Sequence, residues 1–210
     1  MGKIIKDLNW RYATKYFDNT KKVSTKDLET LLEATRLSAS SYGLQPYHIY
    51  VIEDEEIREK LKSASWNQSQ ITDASHLIVF TIKTSFGEEL IDEYIENVIK
   101  TRAVEPQSIK GYSDFMKSKL MFLSAEEKNN WTTRQAYIAL GNVLTVAAHL
   151  KIDTCPIEGI VSEKYDEILG LTQKKLSAVV ALPIGYRSKK DDTQHLPKVR
   201  YSKEKLFTHL

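Results

Sequence analysis

The side chains with the greatest chemical potential lie at opposite ends of the chain. Arg11 and Lys15 flank Tyr12, Ala13 and Thr14 near the start, and Lys198 and Arg200 flank Val199 near the end. A guanidinium forks onto two phosphate oxygens at once, and an ammonium adds a flexible point charge, so the four together suit a monophosphate or a delocalised anion. Read alone, each segment is solvated surface charge more often than a ligand site. Only a fold that brings the two ends together makes one anion site of them.

Other familiar chemistry is missing. The sequence has no G-x-G-x-x-G, no Walker A sequence, no H-E-x-x-H and no G-x-S-x-G. The five histidines, at 48, 76, 149, 195 and 209, never fall at a zinc-like i, i+4 spacing. His48, His76 and His149 sit inside apolar stretches and read as satisfied structural residues. Cys155 is the single cysteine, which excludes an internal disulfide and a multi-thiolate metal site within one chain; it reads as a buried small hydrophobe, and no metal is expected. An enzyme with this inventory leaves its chemistry to a bound cofactor.

The elements that must position the cations can be read from periodicity and punctuation. Ser24 and Asp27 mark a helix start, with Leu28, Leu31, Leu32 and Thr35 at helical spacing and an end near Ser38 to Ser41. Residues 46–52 are β-branched and aromatic and read as a strand, and residues 54–61 return to helix. The almost continuous apolar runs 76–82 and 176–184 read as central strands. Between them the chain is mostly helical: 89–100 is amphipathic, and a capping signature at Ser124 and Glu127 opens a helix to about Leu150. Its half from Ala136 to Leu150 is apolar on nearly every side, so burial all round is expected, within a core or across a subunit interface. After the last strand, residues 185–200 read as a polar arm, closed by a short helix at 202–207.

At 210 residues the chain fits one domain, 1–210, with a substantial core. Thirty Lys and Arg against 28 Asp and Glu give a formal charge of +2 without a long basic run, so nucleic acid is not an expected partner. The first residues lack the pattern of a signal peptide and no apolar run approaches a membrane span, which gives a cytoplasmic protein with no membrane partner as the expectation.

Six segments in order then resemble one family. They are 11–18, 38–48, 73–76 (Asp-Ala-Ser-His), 135–142, 156–159 (Pro-Ile-Glu-Gly) and 196–200 (Leu-Pro-Lys-Val-Arg). Together they resemble the FMN-dependent, oxygen-insensitive NAD(P)H nitroreductases, which include enzymes also described as dihydropteridine reductases. Each segment is weak alone; six in the family's order and spacing, over nearly the whole chain, are specific. The resemblance implies an α+β fold, a central mostly antiparallel sheet flanked by helices, in a domain-swapped homodimer whose chains exchange terminal arms and bind two FMN at their interface.

Carried over residue by residue, the resemblance places Arg11, Lys198 and Arg200 on the FMN phosphate and ribityl chain, with Tyr12 and Ala13 beside them. Lys15 falls by the pyrimidine side of the flavin, Asn67 and Gln70 along the isoalloxazine edge, and Pro156, Ile157, Glu158 and Gly159 where a backbone N–H approaches N5. Ser40, Ser41 and Gly43 would come from the partner subunit. Tyr42, Arg102, Gln107 and Phe115 fall where the family meets substrate and the nicotinamide nucleotide. No catalytic side chain is expected beyond the flavin, with Lys15 and Glu158 near its reactive ring. Each residue also has a plainer reading: a solvated lysine, a helix cap, a Pro/Gly turn, a core aromatic.

Three departures from the family pattern matter. Gln70 stands where many relatives carry a second lysine, which leaves the bound flavin harder to reduce. Tyr12-Ala13 replaces a common His-Ser, removing a hydroxyl contact, and Tyr42 replaces a smaller residue at the channel mouth. The expected activity is two-electron, ping-pong transfer from NADH or NADPH to nitroaromatics, quinones or related small-molecule acceptors. A flavin reductase, a dehalogenase-like member of the fold and a non-catalytic FMN-binding protein stay open beside it.

Overall fold

The computed structural model describes residues 2–210. Helix α1 (Lys3–Trp10) leads into an extended stretch at Arg11. Helix α2 (Thr25–Arg36) starts where the Ser24 hydroxyl accepts the Asp27 N–H, and it stops at Arg36, short of the expected Ser38. Strand β1 (Tyr47–Ile52) follows, then α3 (Glu55–Ser63), capped by Asp54, and the short α4 (Gln70–Asp73). Strand β2 (His76–Lys83), α5 (Glu89–Arg102) and α6 (Pro106–Leu120) lead to the long α7 (Ala125–Leu150). At its start Ser124 and Glu127 exchange both bonds of a capping box. The two-residue β3 (Asp153–Thr154), α8 (Ser162–Ile168), β4 (Leu176–Gly185) and α9 (Lys203–Leu206) complete the order.

The sheet runs β1-β2-β4-β3, every neighbouring pair antiparallel. Strands β2 and β4 lie at its centre, which is why their sequences are apolar without alternation. One face, with Ile78, Phe80, Val180, Leu182 and Ile184, packs on α2 and α7. The other, with Leu77, Val79, Ala178 and Ala181, packs on α3, α4 and α8. A register shift between Phe80 and Thr81 lets Ala178 and Ala181 share a face despite their odd spacing. A satellite cluster of Leu44, Phe86, Leu90, Ile91, Met116 and Leu120 joins α5 and α6.

Within the single chain the second half of α7 is not buried all round: Ile138, Gly141 and His149 are exposed and mark one open stripe, so burial inside this chain's own core does not account for it and burial across a subunit interface stays open. One expectation needs correction. His48 is exposed rather than a core residue, because its position on β1 alternates outward between Tyr47 and Ile49. His149 earns its place by pairing, since its Nδ1 lies 2.9 Å from Asp7 Oδ2 while Lys151 Nζ lies 2.5 Å from Oδ1. These bonds dock α1 on the end of α7 and set where Arg11 leaves the helix.

Candidate functional site

The chain termini meet. Arg11, Tyr12 and Ala13 line one side of a cleft of about 410 Å³, and Lys198, Val199 and Arg200 line the other. The Lys198 ammonium donates to the Arg11 carbonyl oxygen. Arg11 is held below its usual pKa first by burial and then by the charge of Arg200; Lys198 is lowered by burial, then by Arg11 and Arg200. Among the described residues no carboxylate forms an ion pair with any of the three. The cleft is thus a converging set of donors with uncompensated positive charge, which favours a bound anion.

The wall behind this cleft is built from residues the sequence reading passed over. Asp191 is fully buried and caps the following 3₁₀ turn at Asp192–His195. It also reaches back to the Arg11–Tyr16 segment, where it accepts hydrogen bonds from backbone and side chain. Asp153, on β3, pairs with Arg187 just after β4. Ala13 and Thr154 form a parallel bridge, and Phe17 and Arg187 an antiparallel one, so the segment is stitched to the sheet edge. The available signal was slight: an Asp before a polar turn, with a Trp at the residue before Arg11.

Lys15 joins the same neighbourhood through its N–H, 2.7 Å from Asp191 Oδ2. Its charge and that of Arg11 act on the Cys155 thiol, although burial dominates and pushes that thiol up. Cys155 is buried, as expected of a small apolar residue.

A second group forms where the turn between α3 and α4 meets the segment after Cys155. Trp66 and Asn67 are consecutive residues with positive φ, 53° and 56°, a sparsely populated conformation for non-glycine residues. A Cβ on Gly159 would lie 2.9 Å from the Trp66 ring, so only glycine permits this approach. Gln68 Nε2 donates to the Gly159 carbonyl at 3.4 Å. Trp66 and Gln68 thus bring the turn that carries Asn67 against Gly159, and the buried Gln70 opens α4 just after it. Ile157 bridges to Ala181, and Glu158 accepts the Tyr137 hydroxyl at 2.5 Å; burial, then this bond, raises the Tyr137 phenol.

The third group stands apart. Ser41 N–H donates to Gln135 Oε1 at 2.8 Å, Ser40 Oγ accepts the Gln45 N–H at 3.0 Å, and Gly43 lies against Tyr94. Tyr42, at φ 58°, meets Tyr112 and Phe115 edge-on at 6.5 and 6.4 Å. Burial raises the Tyr112 phenol, and the nearby charge of Arg102 opposes that rise. Phe115 is half exposed and Gln107 lies in the exposed first turn of α6. No residue of 40–43 lines the Arg11 cleft of its own chain.

Comparison with known proteins supplies the context for this arrangement. The family model described as "Nitroreductase family" matches residues 8–186. The chain is 37% identical to the major NAD(P)H-flavin oxidoreductase of Aliivibrio fischeri, covering 99% of this chain and 98% of that one. It is also 37% identical to a Staphylococcus epidermidis protein provisionally named an NAD(P)H nitroreductase, over 98% and 96% of the two chains. A crystal structure from Exiguobacterium sibiricum, solved in complex with FMN, superposes with a TM-score of 0.83 over 100% of this chain and 98% of that one. At 20% identity it speaks for a shared fold.

Proposed function

This chain belongs to the nitroreductase family, and from that premise we propose that it is a homodimeric, FMN-dependent NAD(P)H oxidoreductase in which residues 1–210 form one cofactor-binding domain. The observation that carries this reading is the convergence of Arg11, Lys198 and Arg200 on one cleft with no carboxylate among the described residues paired to them. The donor set fits a phosphate monoester: two guanidinium forks and an ammonium, mutually repelling until an anion arrives.

FMN, when bound, supplies hydride acceptance from NADH or NADPH and delivery of two electrons to a nitroaromatic, quinone or related acceptor. The chain's own residues hold and bias it. Arg11, Lys198 and Arg200 grip the phosphate. Lys15 places positive charge beside the pyrimidine edge, where it favours the anionic reduced ring. Asn67 and Gln70 would supply hydrogen bonds along that edge, and the backbone of Pro156 to Gly159 would offer an N–H to the flavin. Tyr42 and Phe115 form an aromatic wall for an acceptor, with Arg102 and Gln107 toward the nicotinamide nucleotide.

Dimerisation is supported by what one chain leaves open. Among the described residues no strand lies beside the outer edge of β1, α7 exposes Ile138 and Gly141, and the arm exposes Val199, Tyr201 and Phe207. A partner's Ser40–Gly43 loop would complete the flavin site that this chain's own loop does not reach. The name of the Aliivibrio fischeri relative favours free flavin as a second class of acceptor.

The deciding experiment is an absorption spectrum of the purified protein, then anaerobic addition of NADPH or NADH, then a quinone or nitroaromatic. A yellow protein that bleaches with nicotinamide and recovers with acceptor is expected. A protein that stays colourless after FMN is supplied overturns the reading, and one that binds FMN but never bleaches is a binding protein.

A further inference from the structure

Arg187 does not line the cleft, yet its guanidinium is held by three residues. Its Nε donates to Asp153 Oδ1 at 2.8 Å, its Nη2 lies 2.6 Å from the same oxygen, and its N–H donates to Asp153 Oδ2 at 2.8 Å. The guanidinium carbon sits 4.1 Å from the centroid of the Trp10 ring and 4.5 Å from that of Tyr12. Trp10 and Tyr12, the two neighbours of Arg11 in the chain, are thereby fixed against one cation. Arg11, between them, is the extended residue at which α1 ends, at φ −70° and ψ 135°. It lines the cleft with Lys198 and Arg200, and Arg187 does not.

We infer that Arg187 is a positioning residue for phosphate recognition: by gripping Trp10 and Tyr12 it aims Arg11 at the ligand without touching the ligand itself. This rests on the FMN reading above. An ion pair with Asp153 alone would need only a positive charge, which lysine supplies. Two aromatic faces packed against one cation favour the flat, weakly hydrated guanidinium over the compact, strongly hydrated ammonium of lysine. The lysine variant therefore separates aiming from simple charge pairing.

The test titrates the apoprotein with FMN and with riboflavin, which lacks the phosphate, following flavin fluorescence. Wild type, Arg187→Lys, Arg187→Met, Arg11→Met and the Arg11→Met/Arg187→Lys double variant are compared. Arg187→Lys is expected to weaken FMN by about tenfold or more and to leave riboflavin unchanged. In the Arg11→Met background the same change should have no further effect on FMN, because there is no longer a guanidinium to aim. Unchanged FMN affinity, equal weakening of both flavins, or additive losses in the double variant would each overturn the inference. If Arg187→Met does not fold, Arg187→Lys, which retains the charge for Asp153, decides. A wild-type protein that binds both flavins equally would overturn the phosphate reading and the role of Arg187 with it, whereas a wild type that prefers FMN with an indifferent Arg187→Lys variant would overturn the latter alone.

Discussion

The Asp191 carboxylate accepts the Tyr12 hydroxyl at 2.9 Å, joining positions 179 residues apart in sequence. The same oxygen accepts the Lys15 and Tyr16 N–H groups at 2.7 and 3.2 Å, and Oδ1 accepts that of Thr193 at 3.1 Å. Burial opposes ionisation here, but these donors prevail and hold Asp191 below the usual carboxylate range. A carboxylate with a depressed folded pKa adds stability above its unfolded value of about 3.9 and loses it as pH falls through the folded value. Asp191→Asn should therefore flatten the acid limb of stability below about pH 4. Asp191→Ala, which strands several buried donors, should cost about 3 kcal/mol at neutral pH. Denaturant melts from pH 7 to pH 3 measure both.

Arg200→Ala should weaken FMN by on the order of 1.5 to 3 kcal/mol, the range for a charge-assisted bond. Because Arg200 lowers the pKa of both Arg11 and Lys198, the same substitution relieves repulsion in the apoprotein. Its apo melting temperature should be equal to or above that of wild type. FMN titration and a thermal scan without ligand, run on one preparation, show whether the two effects part in this way.

Gln70→Lys should raise the midpoint potential of bound flavin by placing a cation beside the reduced ring. Gln70 is buried, so without flavin the new lysine should destabilise the protein. Spectroelectrochemistry reads the first effect. A potential that stays put or falls means that Gln70 does not face the ring.

His76 should give the protein a stability that declines on mild acidification. Ser75 Oγ accepts the Val23 N–H at 2.7 Å, so its own proton turns toward His76 Nδ1 at 2.9 Å, a tautomer inferred from the hydrogen-bond pattern. Burial, with help from Lys22 and Arg58 and opposed by Glu53, lowers the His76 pKa. For a base lowered on folding, the unfolded chain binds the extra proton, so stability falls as pH drops below about 6.5. His76→Gln should remove that slope, which urea midpoints between pH 8 and pH 5 will reveal.

Gly141→Glu tests the open stripe of α7. Within one chain a Cβ at Gly141 meets nothing within 4 Å, so the monomer fold should tolerate the change. If a partner packs there, a charged side chain disrupts the contact. Sedimentation should then show monomers with unaltered circular dichroism; an intact dimer would place the interface elsewhere.

Local signals were legible and distant ones were not. The caps at Ser24 and Ser124 and the apolar runs of β2 and β4 emerged because their causes lie within a few residues. Helix α1 and strand β3 did not, since α1 is held by Asp7 reaching His149 and Lys151, and β3 is two residues whose purpose is to seat Asp153. The cleft cations were visible as residue types, and the family resemblance brought them together. Asp191 and Arg187 were missed because the partners that tie them to the cleft, Tyr12 and Trp10, are more than a hundred residues away and ordinary surface charge looks the same.

The union of Lys198 with Arg11 across 187 residues has a consequence for synthesis. A ribosome that has delivered the last core strand has delivered a sheet with every central pairing available, but only half of the cation cluster. If these cations hold the cofactor's phosphate as proposed, capture must wait for the arm to be made, and a product truncated after Gly185 should fail to retain the anion, so ligand occupancy would separate chains that carry the arm from those that lack it.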